Sequence, residues 1–472
     1  MDHPVPALQD RAAAAAETIL AADSVRVVSH DDADGLTSAA IAGTALDWAG
    51  LPTETEIRHG LDAADIDELA GEAETVLFTD LGSGGLDQLA ARTDQFTPIV
   101  VDHHQPVEGA IEHHLNPRCV GLDGGRDLSG AGTAYVLARA IAAAAGPDGV
   151  DPRELAALAV VGAVGDRQTV EGELVGANAA IAAEGEAAGV IESDTDLAVY
   201  GTQTRPLPKL LEYTSEVRIP GITGSRRGAI DFLDGLSVEI RTGDGWPTWA
   251  DLDGDQRQAV VSGLITRAID RGVPADRVEK LVGTRYVLAR EEPGTQLRDA
   301  SEFATLLNAT ARYERSEVGL AVCRGDRGEA FETARELLSE HRRNIAAGIE
   351  WLTETGVTEA EHVQWVHAGR EIRATIVGIV AGMALGSGDI DRHTPIVAFA
   401  EKPDGDGIKV SARASGRHAN GDLNLAAVLR EAAAEVGGEG GGHAMAAGAT
   451  IPAGTVERFV DRVDRLIGEY RD

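Results

Sequence analysis

Residues 25–35 read VRVVSHDDADG, and the folding of this stretch decides the architecture around it. A β-branched run ends in a cluster of ionisable residues and a glycine, and 38–51 (SAAIAGTALDWAGL) continue in small apolar residues. That order reads as strand, loop and helix. Ahead of it, 8–23 (LQDRAAAAAETILAAD) is dominated by the best helix former and reads as a leading helix. Further short apolar runs at 75–80 (TVLFTD) and 98–104 (PIVVDHH) precede a helical stretch at 153–166 (RELAALAVVGAVGD). Strands alternating with helices predict an α/β fold with a doubly wound parallel sheet, whose functional side chains collect at the carboxyl ends of the strands.

The polar residues stand at those ends. If the chain stays extended past His30, then His30, Asp32 and Asp34 share one face, because side chains in extended backbone alternate with period two. Asp31 then points the other way, as a solvated or supporting residue. The second run delivers Asp80, the third Asp102, His103 and His104, and Asp166 ends the run VVGAVGD. Taken alone, an aspartate after a strand is most often a helix cap or turn residue; three strands that all end this way point to a shared site. Carboxylates and imidazoles without a thiolate suit hard or borderline divalent cations, Mn²⁺ first and Mg²⁺ second, with zinc disfavoured. Two such ions sharing a carboxylate are the arrangement used for in-line attack on phosphate esters. His113 and His114 fit a turn or packing role better than metal binding.

Beyond this unit, prolines interrupt 205–209 (RPLPK) and 219–224 (IPGITG), placing a boundary near residue 200. The pattern to about 310 is irregular and mostly helical, with a helix expected at 254–272 and a turn-rich approach to LRDASEFATLLNATARY. A long helix is expected over 328–356. Strands at 362–368, 395–402 and 408–415 and a closing helix at 456–471 resume the β-α alternation. The predicted domains are 1–200, 201–310, a connecting helix 311–350, and 351–472. GGEGGGH (437–443) reads locally as a flexible turn.

The chain has 472 residues, 42 Lys+Arg against 77 Asp+Glu, a net charge of −35 and 43% hydrophobic residues. Length implies two or three domains, and composition excludes disorder. Cys119 and Cys323 are too few and too far apart for a disulfide framework or thiolate zinc site, and fit a reducing compartment. No apolar run is long enough for a membrane span, and MDHPVPALQD lacks the basic and apolar regions of a secretion signal, so a cytoplasmic protein is expected. Positive charge is carried almost wholly by arginine, the lysines being Lys209, Lys280, Lys402 and Lys409. Acid spread over every region with so little lysine reads as adaptation to a salty cytoplasm, where screening removes self-repulsion.

The residues His30-Asp32-Asp34-Gly35, Asp80, Asp102-His103-His104 and Asp166 resemble the successive motifs of the DHH phosphoesterase superfamily, and Gly440-Gly441-Gly442-His443 resembles the signature of its DHH-associated C-terminal domain. The short HxDxDG spacing is similar to that of RecJ-like nucleases. FTDLGSG, QTRPLPKLLEY, PGITG and RDASEFATLLNATAR resemble the archaeal branch that includes the GINS-associated nuclease. The resemblance implies one metal on His30, Asp32 and Asp80 and a second on Asp34, Asp80, His103 and Asp166, with Asp80 as bridge. It implies that Asp102 orients the imidazoles, that His104 meets the scissile phosphate or moves a proton, and that Ser411, Arg413, Gly441, Gly442 and His443 contact the substrate phosphate. Arg417 and His418 are weaker candidates for the same cleft, and Asn308 and Arg312 resemble a motif near the nucleic-acid path. The implied activity is a metal-dependent exonuclease on single-stranded DNA or RNA, releasing nucleoside 5′-monophosphates, in replication or repair. The alternatives are a phosphodiesterase for short oligonucleotides or cyclic dinucleotides, and a scaffold that binds GINS-like replication-fork proteins.

Overall fold

Five short strands, Val25–His30 (β1), Thr53–Arg58 (β2), Thr75–Thr79 (β3), Thr97–Val101 (β4) and His113–Leu115 (β5), form a sheet in the order β2-β1-β3-β4-β5, every pair parallel. The structure is a computed structural model and describes residues 3–145, 149–214, 217–241, 243, 245–403, 405, 407–414 and 423–470. β3 is buried along its whole length and β4 nearly so, which is why both read as unbroken apolar runs rather than alternating ones. β2 (TETEIR) has no apolar run to announce it; it is the sheet's edge, half-exposed, with charged side chains facing water.

Helices Gln9–Leu20 (α1), Ala33–Trp48 (α2), Ala63–Glu72 (α3), Leu86–Ala90 (α4), Gly130–Ala145 (α5) and Ala156–Gly165 (α6) pack around this sheet. α2 is buried along nearly its whole length, so its small residues, Ala39, Ala40, Ala42 and Ala45, let α5 and α6 approach closely. A short hairpin, Thr169–Val170 (β6) with Glu173–Leu174 (β7), leads into helix Gly176–Ala187 (α7).

The middle region is bracketed by a pair that sequence pattern did not announce: Ile191–Leu197 (β8) runs antiparallel to Val282–Leu288 (β9). Between them lie helices Leu207–Glu212 (α8), Arg226–Asp234 (α9), Gly254–Asp270 (α10) and Ala275–Val278 (α11), closed on a core of their own around Leu210, Trp249, Leu264 and Leu281. β8 (IESDTDL) escapes a reading by periodicity because its apolar residues are only at its ends, where Leu197 faces that core and Ile191 lies against Gly185 of α7. Helices Ala300–Arg312 (α12), Ser316–Cys323 (α13) and Glu329–Thr355 (α14) follow.

The chain divides into two compact units, Met1–Arg335 and Glu336–Asp472. The second is built on a sheet of Thr358–Glu359 (β10), Gln364–His367 (β11), Ile396–Glu401 (β12), Ile408–Arg413 (β13), Glu439–Gly442 (β14) and Ala446–Ile451 (β15), in the order β10-β11-β12-β13-β15-β14. Only β11 and β12 pair in parallel. Helices Leu425–Val436 (α16) and Val456–Glu469 (α17) share a core with Phe399 and Val410, while Val377–Ala384 (α15) packs in a separate core with Ile396 and Ala398. The architecture is thus α/β, with a doubly wound parallel-sheet unit, a mostly helical middle and a smaller α/β C-terminal unit. No helix among the described residues is long and apolar enough to cross a membrane.

Candidate metal centre

β1 ends at His30, and the chain does not stay extended beyond it. Asp32 is the N-cap of α2, its Oδ1 accepting from Gly35 N at 2.9 Å, and Asp34 is already in the helix's first turn. Capping the orphan amides of α2 outweighs the period-two continuation that sequence alone suggests. Gly35 is required by packing: a Cβ there would lie 2.1 Å from the His30 carbonyl oxygen. His30 and Asp34 therefore converge through a strand-to-helix turn.

The neighbouring strands deliver their ends to the same place. Asp80 follows β3 with φ 55°, a left-handed conformation that aspartate tolerates better than most residues, and its carboxylate is buried. Asp102 follows β4, also buried, and accepts from the backbone amides of Ser83, His103 and His104 at 2.9, 2.7 and 3.1 Å and faces His104 Nδ1 at 2.8 Å. Asp166 caps the C-terminus of α6.

Four groups of donor atoms result among the described residues: His30, Asp32 and Asp80; Asp34, His103 and Asp166; Asp80, Asp102, His103 and His104; and, at the rim, His30, Asp31 and His59. His30 Nδ1 lies 3.0 Å from Asp32 Oδ2 and 3.6 Å from Asp80 Oδ2. His103 Nε2 lies 3.1 Å from Asp80 Oδ1, 3.7 Å from Asp34 Oδ2 and 3.8 Å from Asp166 Oδ2. Despite this closeness, His30 Nδ1 and Asp80 Oδ1 are buried without a properly directed hydrogen bond among the described residues. Donor atoms gathered this closely around shared points fit a cation.

The electrostatics agree. Burial, then the like charges of Asp80 and Asp166, push the Asp34 carboxyl well above the usual range, although His103 opposes this. Burial works against a charged His103, yet Asp80, Asp34 and Asp166 together push its imidazole well upward. Such a concentration of buried anionic groups calls for positive charge. Burial would also raise Asp102, but the hydrogen bond and charge of His104, helped by His103 and the Ser83 amide, hold its carboxyl far below the usual range.

Gln168 and Asn178 carried no sequence signal. Gln168 Nε2 donates to Asp166 Oδ2 and to the Gly124 carbonyl, each at 2.8 Å, beside His103 Nδ1 at 3.2 Å; Asn178 in turn donates to Gln168 Oε1 at 2.8 Å. Asn308 Oδ1 accepts from Ala33 N at 3.0 Å, and the charge of Arg312 helps to lower Asp32, which gives both residues of that motif a place beside the centre. Asp31 Oδ1 meets His59 Nδ1 at 3.0 Å and His30 Nε2 at 3.6 Å at the rim, so Asp31 turns toward His30 rather than away from it, because the chain leaves the extended conformation here. His113 pairs with Thr18 at 2.8 Å and His114 with Ser83 at 3.1 Å, a packing role.

In the second unit, Ser411 and Arg413 share a face of β13 beneath α15, where a Cβ on Gly378 would come within 2.4 Å of Arg413 Nη2 and 2.8 Å of Ser411 Oγ. Gly441 and Gly442 lie on β14, an edge strand paired with β15, where the local pattern reads as a turn. Small residues and a partner strand make the difference: Gly440 passes so close to the Leu429 carbonyl that a Cβ would lie 2.6 Å away. His443 follows β14, its amide donating to the Ala446 carbonyl at 2.9 Å. Arg417 and His418 lie outside the described residues.

A parallel-sheet unit with this donor cluster, followed by a helical middle and a mixed-sheet unit, defines a class. Residues 24–163 match the family model of the DHH family N-terminal domain, 199–282 that of the DHH-CID domain and 362–469 that of the DHHA1 domain. The chain carries these three DHH-family domains in that order. An uncharacterized protein of Methanocaldococcus jannaschii is 27% identical over 456 residues, 94% of this chain and 93% of its own length. Among solved structures, RecJ from Thermus thermophilus in complex with Mn²⁺ superposes with a TM-score of 0.61 at 21% identity, over 100% of this chain but 56% of that one, so this chain spans little more than half of that protein. An exonuclease RecJ bound to manganese gives 0.61 at 20% identity over 99% and 96% of the two chains, and CDC45 from Entamoeba histolytica gives 0.66 at 11% over 98% and 97%. At these identities the likeness is one of fold.

Proposed function

We propose that this protein is a divalent-cation-dependent phosphodiesterase that hydrolyses single-stranded nucleic acid from an end and releases nucleoside 5′-monophosphates. The observation that carries the reading is the gathering of His30, Asp32, Asp34, Asp80, His103 and Asp166 at the carboxyl ends of parallel strands, with His30 Nδ1 and Asp80 Oδ1 buried and lacking a well-directed hydrogen bond among the described residues. His30, Asp32 and Asp80 would hold one cation and Asp34, Asp80, His103 and Asp166 a second. Mn²⁺ suits this mixture of carboxylate and imidazole, with Mg²⁺ next, and the exonuclease RecJ of similar fold is described as bound to manganese. Two such cations, when bound, would supply a water acidified toward neutrality and charge neutralisation at the phosphate.

The chain's own groups do the rest. Asp102, fixed by three backbone amides, holds the half-exposed His104 ring through its Nδ1 and leaves Nε2 to meet the scissile phosphate or to protonate the departing 3′ oxygen. Gln168 steadies Asp166. Arg413 offers a two-pronged donor, Ser411 a hydroxyl, His443 an imidazole, and Gly441 and Gly442 closely approachable amides for a substrate phosphate.

The test is digestion of 5′- and 3′-labelled single-stranded DNA and RNA with Mn²⁺ in molar KCl. His103→Ala and Asp166→Asn should each abolish release of mononucleotides, leave the far-ultraviolet circular dichroism unchanged and weaken Mn²⁺ binding measured by calorimetry. Wild-type cleavage by either variant would sink the assignment.

A further inference from the structure

Two stretches run against the acidity of this chain. Residues 408–430 carry four Arg or Lys against one Asp, and belong to the domain whose Ser411 and Arg413 the proposed function already uses. Residues 205–227 carry five Arg or Lys against two Glu. They lie in the DHH-CID domain, and nothing in the chemistry above employs them.

The structure of that second stretch is specific. The Arg205 guanidinium lies 4.7 Å from the ring centre of Tyr200 and 5.7 Å from that of Tyr213. Gly201, at φ 100°, permits this stack, since a Cβ there would come within 2.4 Å of Arg205 Cδ. Tyr213 closes α8 and is 58% exposed. Lys209 is exposed on the same short helix, and exposed Arg218 and Arg226 flank a loop whose Gly224 amide returns to the Glu212 carbonyl at 2.8 Å, beside Tyr213. An exposed aromatic ring backed by a guanidinium, with exposed cations on its own helix and on the loop that returns beside it, offers what a single-stranded nucleic acid needs: a stacking platform for a base and short-range charge for its phosphates.

The residues just ahead of this stretch are tied to the candidate metal centre. Gln203 N and Thr204 Oγ1 donate to the Glu302 carboxylate on α12, and Asn308 of the same helix accepts from Ala33 beside Asp32. Six residues of helix, about 9 Å, separate the two anchor points.

We propose that the Tyr213 face of the DHH-CID domain binds the substrate strand, stacking a base on Tyr213 while Lys209, Arg218 and Arg226 meet its phosphates. This rests on the proposed function for the identity of the ligand, and the experiment separates the two. The full chain carrying Asp80→Asn, to prevent cleavage, is titrated by fluorescence anisotropy with a fluorescein-labelled oligo(dT) of about 20 nucleotides, and proteins with Asp80 intact are assayed on the dinucleotide pTpT. Adding Tyr213→Ala should weaken oligo(dT) binding roughly tenfold, as expected for one lost stacked base. Tyr213→Phe should stay within about twofold of the parent, because the ring remains. Lys209→Gln, Arg218→Gln and Arg226→Gln together should flatten the slope of log K against log[KCl] by about 2. Hydrolysis of pTpT should be unchanged in all of them. Undiminished oligo(dT) binding by Tyr213→Ala overturns the proposal, as does an equal loss on pTpT. If the parent fails to bind oligo(dT) while pTpT is cleaved, this surface serves a protein partner or none and the proposal falls alone; if neither occurs, the phosphodiesterase reading falls with it.

Discussion

Glu302 illustrates what burial does to a single carboxyl. Its side chain is fully enclosed, and burial, reinforced by Asp299, pushes it up to about 7, although Thr204, the Gln203 amide and Arg285 pull the other way. A carboxyl whose folded pKa lies above its unfolded value binds more protons when folded. Its contribution is therefore full below about pH 4.5 and declines as pH rises through about 7. The span is on the order of 3 kcal/mol at most. Glu302→Gln should accordingly raise the melting temperature at pH 8 while leaving it nearly unchanged at pH 5, by thermal denaturation; a pH-independent difference would contradict the account. Asp34 carries two duties in a comparable way. Its oxygens accept from Gly130 N at 2.7 Å and Ala131 N at 2.9 Å, at the start of the 16-residue α5, so this candidate ligand also anchors a helix. Asp166, at the exposed end of α6, has no such second duty, and is the cleaner position at which to separate cation binding from folding.

At the scale of elements, α12 joins the middle region to the turn that carries Asp32. Its Asp299 cap accepts from Ser301 and Glu302 amides at 3.0 and 3.1 Å, and Asn308, near its other end, holds the Ala33 amide in α2's opening turn. Asn308→Ala leaves the Ala33 amide without that acceptor and frees the turn that carries Asp32. A loss of about 1 kcal/mol in stability is expected, read by urea denaturation, with weaker Mn²⁺ binding by calorimetry. Unaltered Mn²⁺ affinity would show that α12 supports the fold alone. β14 makes a related point. Four residues reading Glu-Gly-Gly-Gly have little intrinsic strand preference, yet they pair with β15, and at Gly440 the Leu429 carbonyl of α16 leaves room only for glycine.

For the molecule as a whole, the dominant quantity is its charge of −35. Screening shortens from about 10 Å at 0.1 M salt to about 3 Å at 1 M, so self-repulsion among the surface carboxylates should fade over that range. The melting temperature should rise by roughly 10 °C between 0.1 and 2 M KCl; a flat profile by scanning calorimetry would remove the case for a salt-adapted surface. The sequence by itself determined which residues are apolar in short runs, which polar residues end those runs, and hence the parallel sheet and its loaded carboxyl edge, because these depend on local periodicity. It also carried His30, Asp32, Asp34, Asp80, His103 and Asp166 as one set, since each follows closely on a strand or helix. Only the tertiary structure decided that Asp34 reaches that set from a helix rather than an extended chain, that Gln168, Asn178 and Asn308 support it, and that β2, β8 and β14 are strands. Those outcomes depend on partners distant in sequence: an edge strand or a supporting amide is defined by what it packs against, and no local pattern encodes that neighbour.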